Sequence, residues 1–331
     1  MVGDMAVLVT GATGYIGRRL VTHLLERGDE VRALVRPGDD PAPVAGARVT
    51  VGDVTDGEAV HEAARGARVV YHLAAKVGDW GEESEFWSIN VDGTRSVLDA
   101  AERGECERVV MVSSIVVYGA QLRRGVCDED QPCQRGVGPY GRSKVASEQL
   151  ALSYHEAGRV PVAVVRPGNV YGPRAPLWVD TIVDLLRARR LYVVDNGNGD
   201  AALAYVDHVV DVITRAGESS AAAGRVYNEI DGAGISWRRY IEDLARCAAA
   251  PGPRGSIPYP VAYALAAGME SGYRALRRRQ RPLITREAVR LMASRAPVPM
   301  GRAAAELGYR PSVPYGDAME RVAASLQGGT R

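Results

Sequence analysis

The chain has 331 residues, enough for one large α/β unit or two joined lobes that bury a substantial core without disulfide help. Its 41 basic and 40 acidic residues nearly cancel. No molecule-wide field therefore points to nucleic acid or to an anionic membrane, and a small molecule is the expected partner.

The first predicted strand, Ala6 to Thr10, starts so early that a signal peptide has no room, and a cytoplasmic location is expected. This strand runs into Gly11-Ala12-Thr13-Gly14-Tyr15-Ile16-Gly17 and then an amphipathic helix. The three glycines let the backbone turn tightly and approach a pyrophosphate, whose charge then meets the free N–H groups at the helix start. The Gly-x-x-Gly-x-x-Gly spacing leans toward one subclass of Rossmann proteins, with an ordinary glycine-rich turn as the competing explanation. The second strand, Val31 to Val35, is followed by Arg36 and carries no Asp or Glu at its end. A cation at that place suits a ribose 2′-phosphate, so NADP(H) is preferred and NAD(H) is the second choice; a solvated surface charge would look the same.

Further strands are expected at Val49–Val51, Val69–Leu73, Val109–Ser113 and Val162–Arg166, with helices between them. Apolar on both faces and alternating with helices, they predict an α/β fold: a Rossmann-type, doubly wound parallel sheet. The run from Val109 ends in Ser113 and Ser114, at the strand end where ligands bind in such sheets. Ser114 is the candidate to hydrogen-bond a substrate carbonyl, Ser113 the second candidate, and a strand cap the plain alternative. Tyr140 and Lys144 then open a helix and, four residues apart, share one face. A tyrosine with an ordinary pKa of ~10 needs roughly 4 kcal/mol to serve near pH 7. One cation at ~4 Å in an effective dielectric of ~20 supplies about that much. A surface pair would leave the same spacing.

After Pro167 the rhythm changes, with prolines and glycines crowding the stretch to Pro176, a helical pattern to Arg190 and a short strand at Leu191–Val194. From Ser236 the pattern is mostly helical. The expected division is a nucleotide-binding domain over 1–170, to which 200–230 returns, and a smaller, mostly helical substrate lobe over 171–199 and 231–331. Tyr259, Tyr263, Met269 and Tyr273 fall near helical spacing, suited to core packing or to roofing an apolar substrate. No apolar run reaches the ~18 residues of a membrane span; Ile257 to Met269 comes nearest and is broken by two prolines. Arg277-Arg278-Arg279-Gln280-Arg281 reads as a solvated helix end complementing the helix dipole, with an anionic substrate tail or a membrane surface as other partners. Cys106, Cys127, Cys133 and Cys247 lack metal-binding spacing and are expected as free thiols; His155 and His208 have no metal-like partners, so no metal is expected.

Seven segments in order resemble the extended short-chain dehydrogenase/reductases. They are Thr10 to Gly17, Gly52-Asp53-Val54-Thr55-Asp56, His72-Leu73-Ala74-Ala75, Asn90 to Thr94, Ser113 to Gly119, Tyr140 to Lys144, and Arg166 to Pro173; Tyr205 to Val209 matches a later landmark. The resemblance implies a Ser114-Tyr140-Lys144 catalytic set, with Lys144 also on the nicotinamide ribose. It implies cofactor contacts from Gly11, Thr13, Gly14, Tyr15, Ile16 and Gly17, from Asp53 and Val54 beside the adenine, and from Ala74, Ala75, Lys76, Tyr140, Pro167 and Val170. For Asp53 a turn role competes. Nucleotide-sugar members generally carry an arginine and an aromatic before the landmark at Tyr205, whereas Gly199 to Ala204 offer no cation. The stretch from Ala74 to Gly81, with Phe86, Trp87 and Asn90, is closer to the 3β-hydroxysteroid dehydrogenase, β-keto acid reductase and dihydroflavonol reductase branch. Trp80 and Asn169 are the candidate substrate contacts, with loop packing and a buried turn as their alternatives.

The expected function is NADP(H)-dependent reduction of a ketone, or oxidation of the corresponding secondary alcohol, on a largely apolar small molecule. A nucleotide-sugar epimerase or dehydratase using the same three residues is the alternative, and a non-catalytic nucleotide sensor a distant third. The resemblance also implies a homodimer.

Overall fold

The structure, a computed structural model, describes residues 6–134 and 138–328; the outer ends of the expected division, 1–5 and 329–331, lie outside the described residues. In chain order the first half runs β1 (Ala6–Thr10), α1 (Tyr15–Glu26), β2 (Val31–Val35), β3 (Arg48–Val51), α2 (Gly57–Ala64), β4 (Ala67–His72), α3 (Glu83–Trp87), α4 (Gly93–Arg103), β5 (Arg108–Val112), α5 (Pro139–Glu156) and β6 (Val162–Pro167). Then follow β7 (Asn169–Tyr171), α6 (Thr181–Arg187), β8 (Val193–Val194), β9 (Leu203–Tyr205), α7 (Val206–Glu218), β10 (Val226–Glu229), α8 (Trp237–Cys247), β11 (Ser256–Ile257), α9 (Tyr259–Ala275), α10 (Arg286–Met292), α11 (Gly301–Leu307) and α12 (Tyr315–Gln327).

Seven strands form one parallel sheet in the order β10-β6-β5-β4-β1-β2-β3, the doubly wound architecture expected from the alternating apolar runs. Alternate side chains explain why both faces are covered. Val7, Val9, Ala33, Val35, Val110 and Val112 join one buried cluster, while Leu8, Leu34, Val109, Met111, Val162 and Val164 join the cluster on the opposite face. The direction of winding reverses between β1 and β4, and in open α/β sheets a ligand crevice forms outside the strand ends at such a point.

After β6 the chain leaves the sheet, pairs β7 with β9 and β8 with β11 in two small parallel ribbons, and returns through α7 to place β10 beside β6. A separate apolar cluster under α6, α8 and α12 contains Val183, Leu186, Trp237, Tyr240 and Leu244. Tyr259 and Tyr263 stack 5.6 Å apart and pack against the cluster holding Ala262, Ala266 and Val289, so these two take the packing role. The helix ends at Ala275, and Arg277 has a left-handed backbone with φ of 48°. The basic run therefore follows the helix instead of lying in its last turn, where Arg274 is the basic residue.

Candidate active site

The turn between β1 and α1 has the form that an anion cradle needs. Gly11 has φ of 67°, and a Cβ there would lie 2.6 Å from the Ala74 backbone nitrogen. A Cβ on Gly17 would overlap the Gly11 carbonyl, so glycine is required at both places. Gly14 caps α1 without any side-chain hydrogen bond, which leaves the first helical N–H groups for a ligand. These features fit a dinucleotide pyrophosphate. Tyr15 and Ile16 turn their side chains into apolar clusters, so their contribution to such a cradle is backbone. The Thr13 hydroxyl donates to Asp39 at 3.1 Å.

Asp39 is a feature of this cleft that motif reading passed over. Its two oxygens receive Nε and one terminal nitrogen of Arg36, each at 3.2 Å, so Arg36 lies beside the cradle with its charge partly answered. The i, i+3 spacing of an acid after Arg36 was the available signal. Asp53 accepts the backbone N–H and hydroxyl of Thr55 at 2.9 and 2.7 Å, the turn role, and also lines an open cleft of about 460 Å³ with Ser84, Glu85, Ser88 and Ile89. Val54 is buried beneath Gly93.

Behind the cradle, buried His72 bridges Thr10 at 2.8 Å and Thr94 at 3.0 Å, and the Thr10 hydroxyl receives Ala74 N–H. Burial, and then the Lys144 charge, pull His72 down to about 3, so it is a neutral strut. Asn90 holds the following loop by exchanging hydrogen bonds with both Lys76 backbone groups, at 2.7 and 3.0 Å, and donates to Ser143 on α5 at 2.8 Å. Ala74 packs on the core, Ala75 is half-buried, and the Lys76 ammonium pairs with Glu85 at 2.8 Å. Pro167 is buried at the end of β6, and Val170 packs against the sheet cluster.

Ser114, Tyr140 and Lys144 converge at the carboxyl end of β5. The Ser114 hydroxyl acts on the Tyr140 phenol from nearby, and Ser114 Oγ accepts Val116 N–H at 3.3 Å. Lys144 is buried one helical turn beyond Tyr140, and its Nζ donates to the Val112 carbonyl at 2.6 Å. Burial brings the Lys144 ammonium down to about 8, against the opposing charge of Glu148. The forces on the phenol differ from those that the spacing suggested. Burial and then the Glu287 carboxyl push Tyr140 well above its ordinary range, the Ser114 hydroxyl works the other way, and the ammonium is directed at Val112. Ser113 is committed elsewhere, donating to buried Glu148 at 2.5 Å.

Glu287 comes from α10, far along the chain, and no local pattern marks it. It is 6% exposed, one oxygen has no hydrogen-bond partner among the described residues, and its carboxylate lies where a Cβ on Gly138 would be. Burial and Asp79 raise it to about 8, Gly138 N–H and Arg142 oppose that shift, and Glu270 adds to it.

Both candidate substrate contacts have partners within the protein. Asn169 is buried and donates one amide N–H to the Ala201 carbonyl at 2.7 Å, a bond of the turn. Trp80 meets Tyr273 edge-on at 6.2 Å and lies under the Arg274 guanidinium at 5.1 Å, so its ring packs against α9. Among the described residues, His208, Glu229 and Asp231 approach one another closely enough to suggest a metal. His208 Nδ1 is instead bonded to Asp231 at 2.8 Å, while Nε2 accepts Ser312 and Val313 N–H, so both ring nitrogens are taken.

The sequence profile of the NAD dependent epimerase/dehydratase family matches residues 7–228. The chain belongs to this family. It is similar to the 4-hydroxy-2-methyl-3-oxo-4-farnesyl-3,4-dihydroquinoline-1-oxide ketoreductase of Stigmatella aurantiaca, at 32% identity over 308 residues and 92% of each chain. It is also similar to the 2-alkyl-3-oxoalkanoate reductase of Stenotrophomonas maltophilia, at 29% identity over 97% of this chain and 99% of that one. Among solved structures, that of gox2253 superposes with a TM-score of 0.82 at 27% identity, covering 99% of both chains. The chain is thus an enzyme of the extended short-chain dehydrogenase/reductase type that uses a nicotinamide cofactor.

Proposed function

We propose that this enzyme reduces a ketone on a largely apolar small molecule, with Tyr140 as proton donor, Ser114 orienting the carbonyl oxygen and Lys144 holding the cofactor ribose. The observation that carries the reading is the placement of Ser114 just after β5 and of Tyr140 on α5, one helical turn from buried Lys144, whose Nζ donates to the Val112 carbonyl at the end of β5. A carbonyl oxygen held by both hydroxyls gains a proton from Tyr140 as negative charge develops on it. The nicotinamide cofactor, when bound, supplies the hydride to the carbonyl carbon. Proton and hydride together convert the ketone to a secondary alcohol. Burial and Glu287 keep the phenol protonated at neutral pH, the state that a proton donor needs.

An apolar substrate is favoured over a nucleotide sugar because Ala201, Ala202, Leu203 and Ala204 are buried and present no cation to a diphosphate. The two relatives named as ketoreductase and oxoalkanoate reductase point the same way. Arg36 beside the glycine cradle supports NADP(H), and the Asp39 carboxylate that partly answers it is the reason the preference is graded. Asp53 and the loop Ala74–Lys76 would hold the adenosine and ribose side of the cleft.

The test is Tyr140→Phe, with NADPH and NADH compared on the parent enzyme. The variant should keep cofactor binding and lose about 10²–10⁴-fold in kcat, the usual size of a general acid's contribution. NADPH should give the higher kcat/KM. Near-normal turnover by the variant would sink the mechanism, and a much better kcat/KM with NADH would sink the cofactor preference alone.

A further inference from the structure

Helix α9 is apolar on its outer face as well as on its inner one. The face toward the protein carries Ala262, Ala266 and Glu270, whereas Val261, Leu265, Gly268, Gly272 and Leu276 recur along the outward face at helical spacing. Val261, Leu265 and Leu276 are 51%, 53% and 69% exposed, and Leu283 beyond the helix is 55% exposed. A helix on a water-facing surface ordinarily turns its apolar stripe inward. Here the outward stripe is apolar over four turns, and a contiguous exposed patch of that kind marks a docking surface.

The charges around the patch name the partner. Residues 259–283 contain five arginines and one glutamate, in a chain whose overall charge is only +1. Glu270 is occupied by Arg286 at 2.8 Å and Arg274 at 3.4 Å, and Arg281 by Asp79 at 2.6 Å. Arg277, Arg278 and Arg279 remain as exposed cations at the end of the apolar face. Arg278 lies over the Tyr273 ring at 5.7 Å, which leaves its charge in place, and Arg279 adds a smaller pull to that of Lys76, which lowers the exposed Glu85 carboxyl. Apolar side chains next to clustered arginines match the boundary between lipid tails and anionic headgroups.

We infer that α9 and the arginine run after it form an interfacial docking surface that seats the enzyme on an anionic lipid bilayer, with Val261, Leu265 and Leu276 in the acyl boundary and Arg277–Arg279 at the headgroups. Among the described residues no helix is long and apolar enough to cross a membrane, so the contact is peripheral. The same segment reaches the loop beside the site, where Tyr273 packs on Trp80 and Arg281 grips Asp79, and the following helix carries Glu287, whose charge acts on Tyr140. Docking would therefore set the substrate cleft against the bilayer, which suits the apolar substrate proposed above. The docking itself rests on the surface alone and not on that reading.

Flotation of the full chain with vesicles tests it without reference to activity. The protein should float with mixed phosphatidylglycerol and phosphatidylcholine vesicles, and more weakly with phosphatidylcholine alone or in high salt. Leu265→Glu, and separately the triple change of Arg277, Arg278 and Arg279 to Gln, should each lower partitioning by about tenfold or more. Unchanged thermal midpoints and NADPH binding in the variants establish that they are folded. Failure of the parent to float with anionic vesicles, or equal flotation of the variants, overturns the inference. So does light scattering that shows Leu265→Glu splitting a dimer, because a second copy then covers this face.

Discussion

At the level of single residues, burial first and then a carboxyl from another part of the chain tune Tyr140. The groups facing Glu287 are Asp79 and Glu270, which hold its proton on, and Arg142 with the Gly138 N–H, which draw it off. Asp79 is itself paired with Arg281, and Glu270 with Arg274 and Arg286. With its carboxyl raised to about 8, native Glu287 keeps a proton that the unfolded chain releases above its ordinary range, so its contribution to stability falls as pH rises from about 4.5 through 8. Glu287→Gln should accordingly gain in thermal midpoint over the parent at pH 8 and lose that advantage toward pH 5. Ionised Glu287 also disfavours the Tyr140 phenolate, which the proposed mechanism uses as the base in alcohol oxidation. In that direction the rising limb of the pH–rate profile should move to lower pH in Glu287→Gln by about one unit, the order expected of one charge within ~10 Å at an effective dielectric of ~20. Superimposable profiles for parent and variant would remove Glu287 from any tuning role.

Among the elements, legibility in the sequence followed the range of the contacts. β1, β2, β4, β5 and β6 stand out because strands buried on both faces are nearly continuous apolar runs rich in Val and Ala, whereas β3 is an exposed edge strand marked only by Val49 and Val51; the glycine cradle stands out because close backbone approach admits no Cβ. Tyr140 and Lys144 are legible because helical spacing is local. β8 falls within the short strand expected at Leu191–Val194, but the two-residue β11 carries no periodicity, and β7 and β9 are three residues each, too short to alternate visibly. Nor does any local pattern tie Asp79, on the loop after β4, to Arg281 and Thr285 before α10. Yet Asp79 accepts two guanidinium bonds of 2.6 Å and the Thr285 hydroxyl at 2.5 Å, while Thr285 caps α10 through Ala288 N–H. This clasp joins the loop bearing Trp80 to the helix bearing Glu287. Arg281 is about half exposed, so the ion pair contributes on the order of 1 kcal/mol or less. Arg281→Ala should therefore leave kcat and the thermal midpoint nearly unchanged and raise substrate KM a few-fold by loosening the loop. An unaltered KM would mean that the loop is held by Trp80 packing alone.

Across the molecule, the sheet and the C-terminal segments are tied by a buried polar chain that runs behind the site. Glu148 on α5 receives Arg166 from β6 at 2.5 Å, Ser113 after β5 at 2.5 Å and the Cys133 thiol at 3.3 Å. Arg166 continues to the Tyr118 hydroxyl at 2.8 Å, which donates to Asn228 on β10 at 2.7 Å. Asn228 in turn donates to the carbonyls of Cys127 and Pro299 at 2.9 and 3.0 Å. Each link crosses from one element to the next, so the helix bearing Tyr140 and Lys144 is held in register with β5 and β6 by charge-assisted bonds as well as by packing. Arg166 and Glu148 are almost wholly withdrawn from water, with side chains 3% and 0% exposed. Their attraction is offset by the cost of that burial, so the intact pair adds little net stability over apolar residues of the same shape. Removing one member is different, because the other is left as an unanswered charge in a dry interior. Glu148→Ala should destabilise the fold by roughly 3–5 kcal/mol in chemical denaturation. Glu148→Gln keeps the shape and one acceptor but not the charge, and should fall between parent and Ala. A loss below ~1 kcal/mol in Glu148→Ala would mean that water or a neighbouring side chain takes over the guanidinium, and that the chain of bonds does not hold α5 to the sheet.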